Sequence, residues 1–416
     1  MTGKLAVNGG KPCITKEGPH YIWPIVTDEM KSAVLGQMDE SLSVYDNSGV
    51  IGRLEKKFED YFGLKHALLT NSGTTALWSL YVGAGLKPED EVIVPAYTFF
   101  ATVTPLLFTG AVPMLSESCM DGNIDPGRLE ERITDKTKAM VVTHMWGLPC
   151  KMDRITEIAK KHELALFEDC SHSHGATIDG KHTGTFGNGA AWSLNVQKQV
   201  SAGEGGVIGT NDDEIFYRAL LHGQYNKRCL KEIPKEHPLY RYGVTGMGMK
   251  LRIHTLAAAI ADQQFGGINE SLKTKRYMAD EMVKELSGIP GIEPPRVPSN
   301  VKPTWYAFLM QYKPEELGGL PVRKFYDAVK GEGGKEIDMP GSTCPLNYHP
   351  LFQDPGGMFP QYAGKFSYTK EDFPVAKNFH ENSLKLPVWD RLEDLELAMS
   401  YVDTIRKVSE NYTELL

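Results

Sequence analysis

The chain reads as an α/β protein, with a large domain on a mostly parallel sheet followed by a smaller α+β domain. Three observations predict this. Short apolar runs alternate with helical stretches between residues 66 and 209, the pattern of repeated βαβ units. Past about Gly246 that alternation stops and one long helical stretch takes over. The length of 416 residues suits two or three domains, at roughly 100–200 residues each.

The elements follow in order. The first 40 or so residues are punctuated by Gly and Pro and are expected to lie across another surface. Arg53–Tyr61 has helical periodicity and Gly63 stops it. His66–Leu69 is a short apolar run, after which Asn71-Ser-Gly-Thr-Thr-Ala-Leu77 opens a helix. Glu91–Val94 predicts a buried strand and Thr98–Phe108 a helix. Val112–Leu115, Lys138–Thr143 and Leu164–Phe167 are further strands, with a helix over Met152–His162. Gly189–Leu194 and Gly206–Gly209 continue the sheet. Thr255–Leu286 is helical with a break at Gly266-Gly267, and a Pro-rich link covers Ile289–Pro303. A strand at Tyr306–Gln311, a helix near Val322–Val329 and a terminal helix at Leu392–Val408 complete the chain. The expected division is an arm over 1–50, a large domain over 51–250, and a long helix with a small domain over 251–416.

Composition excludes several classes. Lys plus Arg number 45 and Asp plus Glu 53, a net charge of −8. That argues against a nucleic acid partner, whose phosphates need clustered cations. No window approaches the roughly 18 apolar residues of a membrane span. The first residues lack a hydrophobic signal core. Six cysteines without a CxxC pair read as reduced thiols, so a cytoplasmic location is expected.

Four motifs carry chemistry. In Ser193-Leu-Asn-Val-Gln-Lys198-Gln-Val-Ser-Ala-Gly203-Glu-Gly-Gly206 a lysine sits in a polar turn between a strand and a glycine cluster. Glycine lets the backbone pass close to a flat or bulky group. A lysine desolvated there becomes a nucleophile. Leu166-Phe-Glu-Asp169-Cys-Ser-His172-Ser-His174 puts an acid at the C-terminal end of a buried strand, where α/β sheets bind ligands. An N-cap for Asp169 and plain loop polarity for the histidines are the competing readings. No metal site is read from His-x-His alone. Ser72-Gly73-Thr74 can cradle an anion at a helix start, or simply cap it. Pro95-Ala-Tyr-Thr-Phe99-Phe-Ala-Thr102 places aromatics after a strand, where core packing competes. A fifth stretch, Gly175–His182, fits GxxxxGK but has His182 where magnesium binding needs Ser or Thr, so a P-loop is rejected.

Lysine, acid, anion cradle and aromatic face together suit pyridoxal 5′-phosphate, which needs a Schiff-base lysine and an acid at its pyridine nitrogen. From about Ser48 to Trp389 the chain resembles the DegT/DnrJ/EryC1/StrS family of sugar aminotransferases, of fold type I. SGTTAL, PAYTFFATV, EDCSHSHGA, SLNVQKQVSAGEGG, KLRIHTLAAAIADQQ and SLKLPVW carry the resemblance. Near the N-terminus, LAVNGGKP and WPI are similar to the cyclitol branch, the scyllo-inosose aminotransferases.

The resemblance implies that Lys198 holds the cofactor covalently and that Asp169 partners the pyridine nitrogen. It puts Phe99 at the stacking position and His172 beside the ring. Ser72, Gly73, Thr74 and Ser193 fall at the phosphate. Many relatives carry Asn-x-Arg where this chain has Lys250-Leu-Arg252, in a loop that reaches the neighbouring subunit's cofactor. Lys250 is then expected to hold phosphate as a point charge. The implied reaction moves an amine from glutamate or glutamine to a keto-sugar or keto-cyclitol, with pyridoxamine phosphate as the intermediate and a homodimer sharing its sites. Candidate acceptor-wall residues are His172, His174, Tyr225, Asn226, Lys227, Arg228, Tyr348 and His349, and Lys227, Arg228 and Lys231 could meet a diphosphate. Two alternatives stand beside this. A dehydratase using the amine form carries His in place of the lysine, and a non-catalytic cofactor-binding regulator would need a DNA-binding segment that is not visible.

Overall fold

A computed structural model describes residues 3–416. Among them, seven strands form the main sheet: β1 (His66–Thr70), β2 (Glu91–Pro95), β3 (Val112–Ser116), β4 (Thr137–Thr143), β5 (Ala165–Asp169), β6 (Gly189–Ser193) and β7 (Gly206–Thr210). Their spatial order is β1-β7-β6-β5-β4-β2-β3. The strands from β2 to β6 pair in parallel, whereas β7 runs antiparallel to both β1 and β6. β7 follows β6 through only twelve residues, too few for a helical crossover, so the chain must turn back on itself.

Both faces of the sheet are covered. Val92, Val94, Val141 and Phe167 pack with Leu77, Leu80 and Tyr81 of helix Gly73–Gly83. Their strand neighbours Ile93, Met140, Val142 and Leu166 meet Ile155 and Ile158 of helix Met152–Lys161 on the other side. Successive strand side chains point to opposite faces, so a strand covered on both must be apolar throughout. Farther along, Trp192 and Val207 lie under Leu54 and Phe58 of helix Gly49–Phe62 and Phe265 of helix Thr255–Gly266.

A second core gathers around the antiparallel strands β8 (Ile292–Glu293), β9 (Phe308–Tyr312) and β10 (Ser383–Leu386). Met278 and Met282 of helix Ile268–Leu286 and Tyr401 and Ile405 of helix Leu395–Glu410 complete it. Leu5 and Ile14 are buried in this same core. No described helix is long and apolar enough to cross a membrane.

One local expectation needs correction, and two segments are more regular than their sequence suggests. Thr98–Phe108 is not one helix. Tyr97–Phe99 is a short strand paired with Thr343–Pro345, Phe100–Thr102 is one 3₁₀ turn, and Thr104–Leu107 is a single α-turn around Pro105. The Gly/Pro-rich start contains a helix, Asp28–Glu40, capped by the Thr27 hydroxyl. The segment after Tyr225 is not irregular. It forms helix Asn226–Glu232, and Arg228 on it is 2 % exposed.

Arg228 donates twice to the Glu55 carboxylate, at 2.8 and 3.0 Å, and twice to Glu232, at 2.7 and 2.9 Å. Glu55 also accepts from the Leu69 amide at 2.9 Å, which ties helix Gly49–Phe62 to β1. A buried pair that loses one partner strands the other charge. Arg228→Met should therefore lower stability by about 3–5 kcal/mol in urea unfolding.

Candidate active site

Parallel strands deliver their last residues to one edge of the sheet. Asp169 ends β5, Ser193 ends β6 and Thr143 ends β4, while Gly206 begins the antiparallel β7 at the same edge. The ladder aligns them, with Thr143 opposite Asp169 and Ser193 opposite Gly206.

The helix start Ser72–Thr74 closes over this edge. The Ser72 hydroxyl accepts from the Thr75 amide at 3.1 Å and caps the helix. The amides of Gly73 and Thr74 lie in the first turn, where no intrahelical carbonyl reaches them. A Cβ on Gly73 would stand 2.6 Å from the Ser193 Cβ, and one on Gly206 would stand 2.3 Å from the Ser72 oxygen. Glycine is thus required on both sides of the contact. The close approach expected of the glycine cluster is made, at Gly206, to the chain's own helix start.

Asp169 is 4 % exposed. Its carboxylate accepts from the Thr102 hydroxyl at 2.7 Å and the Ser171 amide at 3.0 Å. Thr102 in turn sits 2.9 Å from the Thr98 hydroxyl and 3.2 Å from that of Thr143. The preceding Glu168 has a different task. It accepts from the amides of Gly184, Phe186 and Gly187, and from His144 Nε2 at 3.1 Å, whose proton is placed by the Cys150 amide donating to Nδ1. Glu168 holds a loop, and Asp169 faces the edge.

Lys198 is half-buried as a residue, with its amine end enclosed. Burial pulls that amine from 10.5 down to about 8, against the opposing pull of the Asp169 carboxylate. The Nζ lies 4.4 Å from the centroid of the Tyr306 ring. Tyr306 stacks on His172 with centroids 3.9 Å apart and planes 6° from parallel, and Trp146 lies 5.7 Å from His172. Burial, with Lys198 nearby, holds His172 well below its ordinary range and His174 at about 3, so both are neutral. His172 Nδ1 and both His174 nitrogens are buried without a hydrogen-bond partner.

The structure thus brings Lys198, Asp169, His172, His174 and the Ser72–Thr74 turn with Ser193 to one edge. Phe99 stands exposed on the strand beside Thr98, its ring 4.1 Å from that of Phe100. Lys250 lies apart, with its Nζ 5.0 Å from the Tyr225 ring, while Arg252 stacks over Tyr225 at 4.1 Å and Tyr45 at 5.2 Å. Lys227 lies over the same Tyr45 at 5.5 Å. Asn226 and Lys231 are exposed. Tyr348 donates to Glu381 at 2.8 Å, and His349 Nε2 pairs with Cys344 Sγ at 3.2 Å. Arg228 is withdrawn from any acceptor wall by its two glutamates.

Sequence reading missed Thr102, Tyr306 and Trp146 as site residues. Thr102 stood inside a quoted motif and could have been found as a hydroxyl donor. Tyr306 and Trp146 carried no local signal.

An enclosed amine and acid, unpartnered imidazole nitrogens and a helix start with free amides fit a flat anionic cofactor. Residues 34–402 match the model of the DegT/DnrJ/EryC1/StrS aminotransferase family, and the chain belongs to it. It is a pyridoxal-phosphate-dependent aminotransferase of fold type I. The chain is 30 % identical over 348 residues to the spore coat polysaccharide biosynthesis protein SpsC of Bacillus subtilis, covering 83 % of this chain and 86 % of that one. With the L-glutamine:scyllo-inosose aminotransferase of Streptomyces griseus, 26 % identity extends over an alignment of 428 positions, gaps included, that takes in 98 % of this chain and 100 % of that one. The aminotransferase structure from Psychrobacter cryohalolentis superposes with a TM-score of 0.84, at 24 % identity, over 95 % of this chain and 100 % of that one.

The enclosed amine has a thermodynamic signature. Between about 8 and 10.5 the unfolded chain binds a proton that the folded amine has lost, so stability contributed by this group rises with pH across that window. Below it, the fold bears the cost of a buried charge. Lys198→Met should stabilise the cofactor-free protein at pH 7 by about 2–3 kcal/mol in urea unfolding, with the gain gone near pH 10.5.

Proposed function

We propose that this enzyme moves the amino group of glutamine or glutamate to the ketone of a polyhydroxylated ring, a keto-cyclitol or a keto-sugar. The observation that carries this reading is the enclosed Lys198 amine beside the hydrogen-bonded Asp169 carboxylate. In it, Lys198 holds the cofactor covalently and, once released, carries the proton to and from the substrate carbon. An amine near 8 is neutral often enough to accept that proton and acidic enough to return it. Asp169, held by Thr102 and Ser171, keeps a proton on the pyridine nitrogen. Gly73, Thr74, Ser72 and Ser193 take the phosphate, where helix amides favour an anion. His172, stacked on Tyr306, and the exposed Phe99 would be the groups to hold the faces of the cofactor ring. Pyridoxal phosphate, when bound, supplies the electron sink that lets a carbon beside nitrogen lose its proton.

The cyclitol acceptor is the first reading. The match to the scyllo-inosose enzyme includes the N-terminal arm, whereas the match to the polysaccharide protein covers 83 % of the chain. With Arg228 bound to Glu55 and Glu232, only Lys227 and Lys231 remain of the charges proposed for a diphosphate. A homodimer with shared sites is supported by exposed apolar side chains around Lys250, namely Val244, Met247 and Met249.

Lys198→Ala should abolish the visible absorbance of bound cofactor and nearly all turnover. Asp169→Asn should retain the fold and lose more than about tenfold in kcat, or roughly 1.4 kcal/mol of barrier. Aminated cyclitols, nucleotide-linked amino sugars and ordinary amino acids, each offered with 2-oxoglutarate, separate the acceptor classes by which one yields the amine form of the cofactor. Conversion by ordinary amino acids alone overturns the polyhydroxylated acceptor.

A further inference from the structure

The WPI tripeptide near the N-terminus is used by none of the chemistry above. In the structure, Trp23 turns its indole toward the active site, and Nε1 donates to the carbonyl oxygen of Lys198 at 2.9 Å. Three side-chain bonds hold residues 197–199 from outside their turn. The others are longer, with Gln199 Nε2 donating to the Thr304 carbonyl at 3.3 Å and the Tyr306 hydroxyl to Gln197 at 3.4 Å. Val196 and Gln197 are exposed, so the turn lies at the surface, and these bonds add to the one inside it, from the Lys198 amide to the Asn195 carbonyl at 2.9 Å.

The arm that carries Trp23 is itself anchored. The His20 amide donates to Glu336 at 2.8 Å, and the Trp389 indole donates to the His20 carbonyl at 2.8 Å. Tyr401 accepts from the Glu336 amide at 3.0 Å. The Lys16 carbonyl, 2.9 Å from His20 Nε2, can only accept, which puts the proton of a neutral His20 on Nε2. His20 Nδ1 therefore accepts from the Tyr401 hydroxyl at 2.6 Å. Three residues later the Trp23 ring lies 5.1 Å from the Nζ of Lys275, which is 3 % exposed on the long helix Ile268–Leu286. A cation over an indole face restrains the ring. The arm therefore links the small-domain core to the backbone of the active-site turn.

We propose that Trp23 is a positioning residue of the transamination site, fixing the Lys198 backbone so that its amine stays enclosed between Asp169 and the Tyr306 ring. This rests on the reading of Lys198 as the cofactor lysine. The amine hangs from a flexible four-carbon stem, and its reach is set by the direction in which the turn launches it. A displacement of about 1 Å at a reacting group can cost a hundredfold in rate. The groups facing the amine are Asp169, His172, His174 and Tyr306. The Lys198 backbone itself is held by its amide, which donates to the Asn195 carbonyl at 2.9 Å within the turn, and by its carbonyl, which accepts from Trp23 of the arm.

The test compares the wild-type protein with Trp23→Phe, which keeps a ring and removes the N–H. Benzothienylalanine at position 23 is the near-isosteric second variant, with sulfur in place of N–H. Cofactor-free protein is acetylated briefly with acetic anhydride across pH 6–11, and Lys198 labelling is read by peptide mass spectrometry. Loss of the indole bond should raise the labelling midpoint of Lys198 by about half a pH unit or more as the amine gains water. It should leave the midpoint of Lys198-independent lysines such as Lys227 unchanged. In the holoenzyme, kcat should fall about tenfold or more with a smaller change in KM for glutamine. An unchanged Lys198 midpoint in both variants overturns the proposal. The labelling result stands whether or not the enzyme transaminates. If wild-type protein fails to bind pyridoxal phosphate at Lys198, the functional reading falls while the Trp23–Lys198 coupling is still read directly.

Discussion

An amine held out of water beside a carboxylate is the constraint around which this protein is built. Lys198 cannot be enclosed by its own turn, because Val196 and Gln197 next to it face solvent. Enclosure comes from Tyr306, His172 and the edge of the sheet at Asp169. His172 follows Asp169 in one segment, whereas Tyr306 comes from a distant part of the chain. The parallel strands bring Asp169 and Ser193 to one edge, and the crossing segment after the Pro-rich link brings Thr304 and Tyr306. Thr304 binds this together, since its hydroxyl donates to the His172 carbonyl at 2.6 Å and its amide to the Gly147 carbonyl at 3.0 Å.

Enclosure also sets the charge state of everything nearby. A protonated imidazole beside the lysine would oppose the ammonium and need its own counter-ion. Burial removes that conflict by keeping His172 and His174 neutral. Asp169 then stands as the local anion, with two donors and, among the described residues, no cation bonded to it. Its charge is left to act on the amine and on what binds at the edge. The contrast with Glu168, one residue earlier, follows from strand alternation. Neighbouring side chains face opposite sides, so one carboxylate braces a loop and the next reaches the site.

The same physics explains why Arg228 is a structural residue. A guanidinium at 2 % exposure needs anions on every side, and Glu55 and Glu232 supply them bidentately. The nearby cations left at the surface, Lys227, Lys250 and Arg252, lie over Tyr45 and Tyr225 instead.

The sequence by itself determined most strands of the sheet and singled out the residues proposed for the site. Buried strands must be apolar throughout, and the runs at 91–94, 112–115, 138–143 and 164–167 match β2, β3, β4 and β5 closely. Lysine in a glycine-flanked turn and acid at a strand end are local patterns, so Lys198 and Asp169 could be singled out as candidates without a fold. What needed the tertiary structure was everything made by residues far apart in the chain. The direction of β7 depends on which strand it pairs with, and the run at 206–209 carries no sign of direction. The segment 98–108 reads as helical by composition, but pairing with Thr343–Pro345 draws its start into a strand and Pro105 breaks the rest. Arg228 was open to an acceptor-wall reading because its partner Glu55 lies 173 residues away. Tyr306 and Trp23 were silent for the same reason, since an aromatic residue becomes part of a site only through what it is folded against.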